Sequence, residues 1–423
     1  MTESDAPALS RSVRERIYRR NFVFFLGDNI LFNVAKGING ETTLIPDFVR
    51  HLTGSEILIG LFGALPTIGG TLPQLLIARY IVRSARRKWW FVGPNIPARF
   101  MMLIFAAITV WLGSRQPDLI LPAFFICYSI ASFGNGLVGV PWADLAGNSL
   151  DNRWRARVLG LTNAATGVLM LLPAPLIGVV LGASGLAFPN NYAVLFGAAG
   201  VLYVLAILPG LFFHELPGGK AVAQLPPLRE FLSDLGRVLR VDLPFRAFII
   251  TRMLVSLLLM AAPFYIGYAT VQLGLSSDVA VPMLLAMQTA GSLAGALTYT
   301  WLGTRSNLLS IQLALGGLAL LPICALLAGL LGPLPLYAGF LLSGLATSIW
   351  NSGYLNWVVG YAHRDERPTY VGLSNTIAAV SSLLAPFIGG AIVQTLGYLP
   401  LFAVSLLLAL GALFVALRFL RDA

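Results

Sequence analysis

Asp28, Lys36 and Glu41, with Asn29, Asn33 and Asn39 among them, fall within one long apolar stretch of this chain. An ionisable group in such surroundings is costly to keep, which makes each one a functional candidate. At about 100° per residue on a helix, Asn29, Asn33 and Lys36 share a face, Asp28 and Asn39 flank it, and Glu41 points away. Arg99, Asp144 and Arg252 interrupt other apolar stretches at comparable depth. If Arg20-Asn21-Phe22 is the counterpart of Arg246-Ala247-Phe248, Arg252 lies close to the depth of Asp28. Pairing opposite charges offsets the cost of burying either. The expected pairs are therefore Asp28 with Arg252 and Arg99 with Asp144, an inner charge network that rearranges as the protein works. Fixed ion pairs that simply hold helices together are the alternative.

A carboxylate in apolar surroundings can take up and release a proton near neutral pH, so Asp28 and Glu41 are the proton-coupling candidates. Sodium coupling and uncoupled diffusion stay open. His51, His214 and His363 lie in loops or at the ends of apolar stretches, which leaves no buried histidine relay. A second polar face comprises Ser348, Trp350, Asn351, Ser352 and Tyr354, to which Asn135 and Gln288 add. Aromatic planes beside amides suit a neutral polar or amphipathic organic ligand. The expected substrate cavity is lined by Asn29, Asn33, Lys36, Asn135, Gln288, Trp350, Asn351 and Tyr354. Helix-to-helix hydrogen bonding is the competing role for the same amides. No HExxH, GxSxG, CxxC or P-loop pattern occurs, so no enzyme, cofactor or metal is expected. Cys127 and Cys324 read as small packing residues.

The elements that must position these groups follow from composition. Hydrophobic residues make up 57% of the chain and charged ones 11%, and the mean hydropathy is +0.79. Spans of about 20 apolar residues are long enough to cross a bilayer as helices. They are expected at 21–47, 56–81, 90–113, 118–148, 158–184, 191–213, 245–272, 279–303, 308–331, 334–361, 370–396 and 399–418. Prolines 66, 73, 94, 97, 141, 173 and 175 are expected to weaken or kink these helices. Glycines 69, 70, 134, 136, 139, 291 and 295 are expected to let helices approach closely.

The net charge of +10 could indicate nucleic acid, but its distribution argues for orientation in a membrane instead. Of the 28 Lys and Arg, only Arg50 and Arg115 fall in loops on one side, and Lys36, Arg99 and Arg252 lie inside spans. The rest crowd on the other side, which places both termini in the cytoplasm. Anionic lipid head groups are a secondary partner for that basic side. The polar, Arg-rich start predicts no cleavable signal peptide.

Residues 214–243 form the only long hydrophilic stretch. They carry an amphipathic helical pattern and are read as a cytoplasmic linker. The expected organisation is a basic N-terminal segment (1–20), a first bundle (21–213), this linker, a second bundle (244–418) and a short tail (419–423). The two bundles resemble each other. Leu159-Gly160-Leu161-Thr162-Asn163 matches Val371-Gly372-Leu373-Ser374-Asn375, and Ala174-Pro175-Leu176-Ile177-Gly178 matches Ala385-Pro386-Phe387-Ile388-Gly389. Gly70-Thr71-Leu72 finds a weaker echo in Gly291-Ser292-Leu293. Such repeats in a polytopic helical chain point to a carrier with its site between the halves.

With these features the chain resembles the major facilitator superfamily. The 6+6 plan carries the resemblance, with basic loops after spans two and eight and with Ala385-Pro386-Phe387-Ile388-Gly389-Gly390, close to that family's G-P-x-x-G-G pattern. In the loop after span two only Arg83, Arg86 and Arg87 match the family signature; Ala78, Val82 and Ala85 depart from it. The resemblance implies an all-α membrane fold of twelve helices in two pseudo-symmetric six-helix bundles. It implies a monomeric secondary transporter in the cell (inner) membrane working by alternating access, with spans one, four, seven and ten lining the cavity. Export of amphipathic compounds is the favoured reading. Uptake of a sugar-like solute and lipid flipping are the alternatives.

Overall fold

A computed structural model describes residues 11–81, 88–113, 115–150, 152–182, 186–215, 242–303, 305–361 and 367–420. The described residues are helical apart from short turns. The N-terminal half contains α1 (Arg11–Asn39), α2 (Leu44–Leu52), α3 (Glu56–Ile81), α4 (Lys88–Leu112) and α5 (Ile120–Ser149). It continues with α6 (Asn152–Leu169), α7 (Pro173–Leu181), α8 (Asn190–Leu205) and α9 (Ile207–Leu211). The C-terminal half contains α10 (Leu243–Leu258), which runs on through tighter and wider turns to Gln272, and α11 (Ser277–Leu302). Then come α12 (Asn307–Leu331), α13 (Leu334–Tyr361), α14 (Arg367–Leu396) and α15 (Tyr398–Phe419).

Among the described residues, eight helices are long and apolar enough to cross a membrane. They are α4, α5, α8 with α9, α10 with its continuation, α11, α12, α14 and α15. The chain is a multi-pass membrane protein. Twelve such spans are expected from the sequence. The long helices α1 and α13, which carry most of the polar stripe, are not among the eight. The linker's amphipathic segment and the motif residues Arg83, Arg86 and Arg87 lie outside the described residues.

The first expected span is two helices. Gly40 adopts a φ of +51°, where a Cβ would meet Thr43 Oγ1 at 2.8 Å, and the chain turns there from α1 into α2. Of the expected proline effects, only the one at Pro173 interrupts a helix, separating α6 from α7; Pro66, Pro73, Pro94, Pro97 and Pro141 sit inside continuous helices. Neighbouring turns and helices can re-satisfy the backbone groups that a proline frees.

Each half is tied at the end that carries the chain's described termini. In the N-terminal half, Asn21 Nδ2 donates to the Ser149 and His214 carbonyls (3.1 and 2.9 Å), and His214 N donates back to Asn21 Oδ1 (3.0 Å). In the C-terminal half, Asp242 accepts from Phe245 N (3.0 Å), Tyr361 OH (2.6 Å) and Tyr370 OH (3.2 Å). Asn21, within α1, and Asp242, the N-cap of α10, thus each join segments far apart in sequence.

Glycines then set the close helix pairs inside each half. A Cβ on Gly136 would overlap the Gly69 carbonyl, joining α5 to α3. One on Gly291 would overlap the Leu341 carbonyl, joining α11 to α13. Gly134 and Gly295 behave likewise, whereas Gly70 has open space beside it. In lipid there is no hydrophobic drive between helices, so such contact by small residues is what packs them. Gly291→Val should therefore destabilise the protein by about 1–3 kcal/mol. Gly316→Ala, which meets nothing within 4 Å, should be neutral or slightly stabilising. Thermal unfolding of the detergent-purified variants checks both.

Candidate functional site

The halves meet at the end opposite the described termini. There Gly60 and Gly63 of α3 lie against Pro386 of α14, and Gly390 of α14 lies against the α3 backbone at Glu56. On the other flank Gly178 of α7 lies against Pro282 of α11, with a Cβ-to-Cγ spacing of 3.4 Å. Both copies of the Ala-Pro-x-x-Gly repeat thus stand at the interface between halves. Polar side chains reinforce this seal. Arg50, after α1, makes a two-pronged ion pair with Glu56, the second prong at 2.8 Å. From the other half, Tyr398 OH donates to Glu56 Oε1 (3.1 Å) and Gln394 Oε1 accepts from Glu56 N (2.9 Å). The Arg50 guanidinium rests on Gly267, where any larger residue would displace it. Sequence reading counted Arg50 only as a loop charge and passed over Glu56, Gln394 and Tyr398. The signal it could have used is the 50/56 spacing across a short turn.

Beneath the seal, at mid-depth, lies a cavity of about 520 Å³ between the halves. Lys36, Glu41 and Thr42 line it from the N-terminal half, with Thr166 and Met170; Gln288, Ser292, Ser348 and Asn351 line it from the other. Thr42 Oγ1 donates to Gln288 Oε1 across the divide (3.3 Å). Glu41, expected to point away, turns back at Gly40 to pair with Lys36 at 3.3 Å.

Inside the N-terminal half two smaller cavities, of about 150 and 180 Å³, share Arg99 and Asn135. Asp28 and Arg99 form an ion pair there at 2.8 Å, each only 4% exposed. Arg99 also lies over the Phe32 ring at 5.3 Å. The Nε and Nη1 donors of Arg99 and the carbonyl oxygen of Asn95 are buried without hydrogen-bond partners. The expected Asp28–Arg252 pair is therefore replaced. Arg252 instead donates to Ser374 Oγ and Asn375 Oδ1 (the latter at 2.9 Å) and stacks on Tyr354 at 4.1 Å. Both choices keep partners within one half. The side chain of Asp144, the other expected partner of Arg99, lies outside the described residues.

Of the remaining residues assigned to a cavity, Gln288, Asn351 and Lys36 line the 520 Å³ space, and Asn29 and Asn135 line the smaller ones. Asn29 and Asn33 donate to the carbonyls one turn earlier in α1, at 2.8 Å each, and Asn33 lines none of the three. Trp350 is 6% exposed and packs in the core of the C-terminal half, 5.9 Å from Tyr354. Helix phase alone did not distinguish a cavity face from a core face.

Solved structures share this fold. A nucleoside transporter, solved as a mutant, superposes with a TM-score of 0.71 at 14% identity, covering 94% of this chain and 98% of that one. A D-xylose–proton symporter gives 0.70 at 15% identity, covering 95% and 97%. A bacterial homologue of the iron transporter ferroportin, in an inward-facing state, gives 0.69 at 16% identity, covering 96% and 98%. The fold is that of the major facilitator transporters. No family model matches the chain, and no curated protein matches it in sequence.

Asp28→Asn strands Arg99 as a buried unpaired cation and should cost about 3–5 kcal/mol. Adding Arg99→Met to it should restore part of the loss, as read by thermal unfolding of the single and double variants. An Arg99→Met addition that only deepens the loss would show that Arg99 packs independently of Asp28.

Proposed function

We propose that the protein is a secondary transporter carrying a small organic solute across a cell membrane by alternating access. In this reading twelve spans form two six-helix bundles, both termini are cytoplasmic, and the chain acts as a monomer in the inner membrane. The basic residues crowded at the described-terminal side support that orientation. The observation that carries the proposal is the 520 Å³ cavity at mid-depth, sealed on one side by contact between the halves. A cavity of a few hundred Å³ suits a small ligand. Its lining mixes Lys36, Glu41, Gln288 and Asn351 with Met170, Leu285 and Leu293, so an amphipathic solute is favoured over a sugar. Export is the proposed direction.

Coupling to protons runs through Asp28 and Glu41. Each sits in an ion pair, with Arg99 and Lys36 respectively, so protonation of the acid releases a cation toward the cleft. Solute-dependent flux in proteoliposomes, driven by a pH gradient, tests the function. Asp28→Asn and Glu41→Gln should each remove the pH dependence; flux that ignores both substitutions and the gradient overturns proton coupling.

Closure on the sealed side depends on Glu56, which bonds to Arg50, Tyr398 and Gln394. Charge-assisted hydrogen bonds of this kind are worth enough that Glu56→Ala should raise opening on that side about ten-fold. The measurement is the rate at which an impermeant maleimide labels Cys introduced at Thr42, with Cys127 and Cys324 replaced by Ser. Unchanged labelling assigns the seal to the Gly–Pro packing alone.

A further inference from the structure

The ionisable side chains described at mid-depth around the cleft are Asp28, Lys36, Glu41, Arg99 and Arg252. Two pairs close among them, Arg99–Asp28 and Lys36–Glu41. Arg252 is left over. No carboxylate among the described residues stands within ion-pair distance of it, and its partners Ser374, Asn375 and Tyr354 are all neutral. The described set therefore holds three cations and two anions.

The internal repeat shows that this arginine is not a requirement of the fold. Ser374-Asn375 is the second copy of Thr162-Asn163, and in the register set by Arg20 and Arg246 the counterpart of Arg252 on α1 is Leu26. Thr162 Oγ1, in the place of the hydroxyl that Arg252 engages, is buried with no hydrogen-bond partner. Among the described residues, the N-terminal half places no cation on Thr162. The C-terminal half adds one.

A guanidinium has five N–H donors in a fixed fork. In Arg252 one from each terminal nitrogen is spent on Ser374 and Asn375, and one flat face is spent on Tyr354. The side chain is half-buried, and Asn375 beside it is exposed. Tyr354 stands one turn along α13 from Asn351, which lines the 520 Å³ cavity, on the side away from the seal. The arginine is thus braced in one orientation against Tyr354, one helix turn from the cavity lining, with donors to spare.

We infer that Arg252 is the docking group for the carboxylate of an amphipathic organic anion, whose apolar body occupies the cavity above it. This deepens, and rests on, the transporter reading. A guanidinium whose described partners are all neutral suits a monovalent carboxylate, which it grips by two parallel bonds. Met170, Leu285 and Leu293 offer the apolar wall for the rest of the solute.

Equilibrium dialysis of the purified full chain against radiolabelled benzoate, inorganic phosphate and neutral benzamide tests the assignment. Benzoate should bind saturably and benzamide should not. Arg252→Gln should weaken benzoate at least about ten-fold, and Arg252→Lys, which keeps the charge but loses the fork, should fall between. Thermal unfolding identifies a variant that fails to fold; the lysine variant then carries the test. Equal binding of benzoate and benzamide overturns the inference. So does no benzoate binding, phosphate in its place, or a lysine variant as tight as the parent. Flux in proteoliposomes separates this from the reading beneath it. Arg252-dependent benzoate binding without any flux overturns the carrier and leaves the anion site. Benzamide flux with no benzoate binding does the reverse.

Discussion

Where the two halves touch, side chains too small to hold them apart let backbone approach backbone. Gly60 and Gly63 receive Pro386, Gly390 receives the turn at Glu56, and Gly178 receives Pro282. In a membrane such contact gains dispersion without any hydrophobic drive, because lipid is as apolar as the helices it would leave. An interface of that kind is specific in shape yet modest in energy, and among the described residues its glycine–proline contacts gather at one end. The cavity lies beneath that contact. The Arg50–Glu56 pair with Tyr398 and Gln394 adds the directional bonds that packing by small residues lacks.

Electrostatics obeys the same division. A buried charge demands a partner, and here the described partners lie within the same half. Asp28 therefore takes Arg99, Lys36 takes Glu41 at the Gly40 turn, and Arg252 is steadied by neutral groups of its own half. The N-terminal half balances its described mid-depth charges internally. The C-terminal half presents one that is not balanced, and that asymmetry within a repeated architecture is where the two halves differ in chemistry.

Much of the site was visible in the chain as residue types. The polar stripe on α1, the amides of α11 and α13 and the intramembrane Arg99 and Arg252 all stand out against an apolar background. Partner choice did not. Residues 28 and 252 stand at matching depth in repeat-related helices, and depth was the only coordinate the sequence offered. The azimuth that brings α4 rather than α10 against Asp28 comes from the Gly-mediated packing of α4, α5 and α3. Trp350 failed for a related reason: its helical phase is compatible with a cavity face, but packing in the C-terminal half turns that phase into the core.

Composition and apolar period by themselves determined a helical multi-pass membrane protein, because burial of backbone in lipid and the period of apolar runs are local properties of the chain. Tertiary structure alone decided which end is sealed, which ion pairs close and that the described partners of Arg252 are neutral. Those depend on how helices distant in sequence rotate against one another, and that rotation is set by contacts between glycines and prolines whose partners no local pattern names.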